Sequence, residues 1–158
     1  MRLLTFLPCE KVLFGHDQTV SLIVVLSEIH FGQPTPDAFK NIPAGTGAFF
    51  RWAVFTQWEV EEGDIEGQAY EQCIALALGS GELAFTNVTQ FTFPSPTKIQ
   101  RLVGNFDVIP LLPEGRYELI AKWHKAGDSD WIEGSRYPVV VTYDPPRVPP
   151  SPITAPSS

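Results

Sequence analysis

The sequence predicts an all-β fold, an antiparallel sandwich of about eight strands ending in a disordered Pro-rich tail. Apolar residues alternate with polar ones in stretch after stretch, and Gly, Pro, Asn or Asp stand near many stretch boundaries. Helical spacing is hard to find. With 158 residues the chain fits one domain, residues 1–143, and a tail, residues 144–158. Its 44% hydrophobic and 12% aromatic content, set against 18% charged residues, suits a packed core.

The first strand is expected over residues 3–9. The opening apolar stretch stops at Pro8, with Glu10 and Lys11 following and no small-residue cleavage site, so it does not read as a signal peptide. Residues 20–29 are apolar on both faces, Leu22, Val24 and Leu26 on one and Ile23, Val25 and Ile29 on the other. That fits a central strand covered on both sides. A buried helix competes with it, and the Val and Ile content favours the strand.

The clearest alternation follows, with Phe50, Trp52, Val54, Thr56, Trp58 and Val60 on the core face of one strand. Weaker strands are expected over 70–78, 84–93 and 99–108. In the last of these Leu102, Gly104, Phe106 and Val108 share a face, and Gly104 suggests a bulge. Tyr117, Leu119, Ala121 and Trp123 then face the core, opposite Glu118, Lys122 and His124. Tyr137, Val139, Val141 and Tyr143 close the domain, with Pro138 pointing to an edge position or a strand start.

Two connections are longer. Residues 31–47 leave room for a helical turn over 37–41, and residues 61–67 are acidic. The tail contains Pro146-Arg147-Val148-Pro149, a P-x-x-P pattern that proline-rich segments produce readily.

Pro113-Glu114-Gly115-Arg116-Tyr117 places a turn glycine before a strand-entry tyrosine, which resembles the tyrosine corner of immunoglobulin-like sandwiches. The tyrosine hydroxyl would bond backbone upstream. Leu119 stands where antibody domains carry a cysteine, so only the sandwich architecture carries over. More broadly, residues 6–12, 21–29, 114–119 and 137–141 resemble a bacterial family of small immunoglobulin-like domains of unknown function. The resemblance implies an immunoglobulin-like antiparallel sandwich and assigns no functional residues.

A net charge of −7 with only 11 scattered basic residues argues against nucleic acid as a partner. No apolar run approaches the roughly 18 residues of a membrane-spanning helix, so no membrane is expected and the location expected is cytoplasmic. Cys9 and Cys73 lack metal-ligand spacing and read as buried free thiols.

The carboxylates Glu59, Glu61, Glu62, Asp64 and Glu66 lack the spacing of a calcium loop and read as a solvated, self-repelling loop. Asp128, Asp130 and Glu133 read as a polar turn. His16, His30 and His124 have no partner at a ligand spacing and are expected at the surface or at strand ends. No nucleophile or phosphate-binding motif is present. No catalytic residue, metal site or cofactor is therefore expected.

Trp52 and Trp58 belong to the core, leaving Trp131 as an exposed aromatic anchor. Opposite the core face, Phe49, Ala53 and Phe55 stand among Arg51 and Gln57. A long loop, the tail, another subunit or a partner would have to cover them. Phe49, Arg51 and Phe55 are thus the candidate interface of a non-enzymatic module that engages another protein, or a second copy, through a sheet face or edge. A small-ligand module for metal or carbohydrate is the alternative, with an enzyme third.

Overall fold

The computed structural model describes residues 1–17, 19–32, 46–64, 67–93 and 98–144. Residues 145–158 of the tail, with the P-x-x-P motif, the proposed turn over 37–41 and Glu66 lie outside the described residues. Nine strands are present among the described residues, one more than the alternation suggested. They are β1 (Arg2–Phe14), β2 (Val20–Val25), β3 (Glu28–Phe31), β4 (Gly47–Glu59), β5 (Ala69–Ala77), β6 (Leu83–Thr92), β7 (Ile99–Pro110), β8 (Gly115–Lys125) and β9 (Ile132–Tyr143). They form a β-sandwich, one sheet in the order β2-β1-β4-β7 and the other β3-β9-β8-β5-β6.

The strongly alternating segments build the interface between the sheets. Trp52 and Val54 from β4 meet Ile74 and Leu76 from β5, Leu119 and Ala121 from β8, and Val139 and Val141 from β9. At one end Met1, Trp58, Tyr70 and Phe91 form a second cluster. Register partners share a face in a pleated pair, so β5, β8 and β9 place these residues in rows on one side.

Between Trp58 and Gln72 the core is polar and fully bonded. The Gln72 side-chain oxygen accepts the Thr56 hydroxyl at 2.6 Å and the Trp58 indole N–H at 2.8 Å. The Tyr117 hydroxyl donates to the Pro113 carbonyl at 2.7 Å, the upstream backbone bond its turn context called for.

Residues 20–29 are not one central strand. Val20–Val25 is the edge strand of the first sheet, with Ile23, Val24 and Val25 exposed, and Glu28–Phe31 pairs parallel with β9 in the second. Between them the chain crosses the sandwich, burying Leu26 and bonding its N–H to the Pro8 carbonyl at 2.9 Å, and β3 buries Ile29. Val24 has a φ of 50°, a left-handed conformation that is costly for a β-branched residue, one position before β2 ends. The apolar run is thus not a record of burial, since Ile23, Val24 and Val25 are exposed while Leu26 and Ile29 are buried.

The bulge expected at Gly104 lies elsewhere. The β4–β7 register shifts between Phe49 and Trp52, so that β7 buries Ile109 and leaves Val108 exposed. Gly104 instead makes room for a ring: a Cβ there would stand 2.9 Å from Phe106 Cζ. Pro138 pairs with Glu118 on one side, and β3 begins its pairing with β9 only at Val140. On that side Pro138 has no strand neighbour among the described residues, which suits a residue without an N–H.

Candidate functional site

Beside the β4–β7 register shift one short segment of the outward phase of β4 meets exposed residues of β7. Phe49 is 74% exposed, paired in register with exposed Val108. Arg51 places its guanidinium carbon 5.5 Å from the centre of the Phe49 ring and its Nε 3.3 Å from Asp107 Oδ1. The cation lies over the ring and beside the carboxylate, and all three side chains keep their water, so these contacts are weak ones. Among the described residues β7 is the last strand of its sheet, so the Phe49–Val108 pair also borders a sheet edge.

Phe55 does not join this patch. It faces the same side as Leu7 and Val103, its register partners, yet it is only 4% exposed, and neighbouring Ala53 and Cys9 are buried too. The chain itself covers that part of the outer face. Asp107 and Val108, which alternation gave no reason to single out, take the place of Phe55 beside Phe49 and Arg51.

In the acidic loop, Asp64 has an internal role. It receives the Met1 α-amino group at 2.9 Å, the Glu61 N–H at 2.8 Å and the Tyr70 hydroxyl at 2.9 Å. Burial alone would raise its pKa, but the amino group and these hydrogen bonds outweigh that and hold it below the ordinary carboxylate value. A carboxyl with a depressed folded pKa contributes stability that is complete above the unfolded value and is lost as pH falls through the folded one. The melting temperature is therefore expected to fall as pH drops below about 4, and Asp64→Asn is expected to flatten that dependence in thermal scans across acid pH.

All three histidines lie at the surface or near a strand end, His124 one residue before β8 ends, but His124 is not on a solvated face as its place opposite Tyr117 and Leu119 implied. His16 and His30 are exposed, but His124 is buried between the Glu71 carboxylate and the Asp128 carbonyl, each 2.8 Å from a ring nitrogen. Trp131 lies against it, with ring centres 4.0 Å apart. One indole face is thus taken up by the histidine, and Trp131 is an anchor only by its remaining edge and face. The Ala126–Asp130 hairpin explains the burial, since it folds back over the end of β8 through Asp128 N–H to Lys125 C=O.

Cys9 and Cys73 are buried and unbridged, and burial raises both thiols above their ordinary pKa. Among the described residues no group of three or more His, Cys, Asp and Glu side chains is placed to hold a metal ion. No helix among them is long and apolar enough to cross a membrane. No family model matches the chain. Nor does any curated protein match it.

Proposed function

We propose that this chain is a non-enzymatic interaction module, an immunoglobulin-like sandwich that engages another protein through Phe49, Arg51 and the bordering edge of β7. The observation that carries the reading is the outward Phe49, a large apolar ring under the Arg51 cation and set beside exposed Val108. Aromatic and Arg side chains of this kind are the usual anchors of protein interfaces.

The immunoglobulin-like part rests on strand order. β1-β4-β7 faces β9-β8-β5-β6, β3 runs parallel to β9, and Tyr117 bonds upstream backbone at the entry to β8. Kinship with the small bacterial immunoglobulin-like domains is proposed on the same residues. A cytoplasmic location goes with it, supported by the two unbridged thiols.

The test is affinity capture from a lysate of the source cells, comparing the native chain with Phe49→Glu/Arg51→Glu by quantitative mass spectrometry. Both positions are exposed, so the folded state is expected to change by less than about 0.5 kcal/mol per substitution. A specific partner held by the native chain is expected to be lost from the variant. Equal recovery from both would overturn the reading.

A further inference from the structure

The two contacts of the His124 ring fix a proton count. Nδ1 faces the Asp128 carbonyl at 2.8 Å, a group that can only accept, so Nδ1 carries a hydrogen. Nε2 faces a Glu71 carboxyl oxygen, also at 2.8 Å. A neutral imidazole has a single N–H, and Asp128 already takes it. The bond at Nε2 therefore needs a second proton, on the ring as an imidazolium or on Glu71 as a carboxylic acid, and that proton belongs to the pair.

Among the described residues, few other charges surround the ring. Glu71 of β5 stands opposite His124 in register, and beyond it on β6 is neutral Gln90. Lys122, two places back on β8, is opposite Glu133 of β9 and interacts with its charge. Cys73 of β5, opposite Lys122, keeps its thiol proton because burial raises its pKa. Asp128 and Asp130 are exposed in the hairpin. Glu71 is thus the ionisable side chain bonded to the ring.

When the second proton leaves, two acceptors compete for one N–H. The carboxylate wins, since a hydrogen bond to an ionised acceptor is about twice as strong as one to a neutral carbonyl. Nδ1 then turns a lone pair toward the Asp128 carbonyl, and the two repel. The contact between the ring and the Trp131 indole, 4.0 Å between centres, loses its cation–π part in the same step. The hairpin keeps its backbone bonds, Ala126 N–H to Ala69 C=O and Asp128 N–H to Lys125 C=O, so it loosens without unfolding.

We propose that residues 126–131 form a proton-dependent clasp, closed while the His124–Glu71 pair holds its second proton and loosened when that proton leaves, which frees the covered face of Trp131. The closed form binds a proton that the loosened form gives up, so acid closes the clasp and base opens it. Asp64 works in the reverse sense, its contribution being lost toward acid. The clasp lies on the sheet opposite Phe49 and is independent of that surface.

NMR of the isotope-labelled chain from about pH 5 to about pH 9 tests it. Nuclear Overhauser contacts between the His124 and Trp131 rings are expected at the acid end and are expected to be lost along the titration curve of the His124 ring signals. Glu71→Gln offers Nε2 an amide N–H, so a neutral ring keeps its own N–H on Asp128. In that variant the contacts are expected to persist to the alkaline end. Circular dichroism establishes that the variant is folded, and if it is not, the native titration decides. Ring contacts in the native chain that persist across the whole range, or a Glu71→Gln chain that loses them as the native one does, would overturn the proposal.

Discussion

Trp58→Ala is expected to lower the unfolding free energy by about 3–5 kcal/mol, the usual cost of emptying a large aromatic site in a core. Trp58 has no exposed surface, lies 6.2 Å from the Phe91 ring centre and meets Trp123 edge-on at 6.4 Å. Its far edge reaches Gly134, where a Cβ would already be 3.4 Å from Trp58 Cη2. Packing from both sheets holds this cluster in place, which limits how far it can collapse into the gap. Because a domain of this kind has only about 5–15 kcal/mol in hand, much of the native population is at stake. Urea titration gives the value, and a loss below about 1 kcal/mol would mean that Trp58 is not the keystone of that end.

The second large effect is polar. Gln72→Leu keeps roughly the side-chain volume but removes the oxygen that accepts both Thr56 and Trp58. Two donors are then buried without partners, at about 1–3 kcal/mol each, so a total near 2–5 kcal/mol is expected after some relaxation. The native chain has no such orphan among the described side chains. Adding Thr56→Val to Gln72→Leu removes one of the stranded donors and is expected to restore stability by about 1 kcal/mol or more. If the double variant were less stable than Gln72→Leu alone by the full cost of Thr56→Val, the shared-acceptor account would fail. Urea titration of the cycle distinguishes the two.

Period-two alternation made the inner faces of β4, β8 and β9 legible, because strand pleat fixes which residues share a side whatever the strand's neighbours. Trp52, Trp58, Leu119, Ala121, Val139 and Val141 all stand on the core side as the pattern required. Whether the other side is wet depends on chain remote in sequence. Thus Phe49 is exposed and Phe55 buried, though both share one phase of the same strand.

The register shift at Phe49 to Trp52 was equally hidden. It follows from how β4 meets β7, and no glycine marks it. The burial of His124 comes from a hairpin folding back, and the sheet change after Val25 from a partner strand more than a hundred residues away. Of the candidate interface, Phe49 and Arg51 were readable as apolar and cationic groups on an outward face. Asp107 and Val108 join them only through pairing.

The most direct test of the interaction reading is hydrogen–deuterium exchange on the native chain, alone and bound to the partner that capture identifies. The account predicts slowed exchange on binding in the segment from Phe49 to Trp52 and across Asn105 to Ile109 on the bordering edge of β7. Protection confined to other strands, with these two segments unchanged, would contradict it.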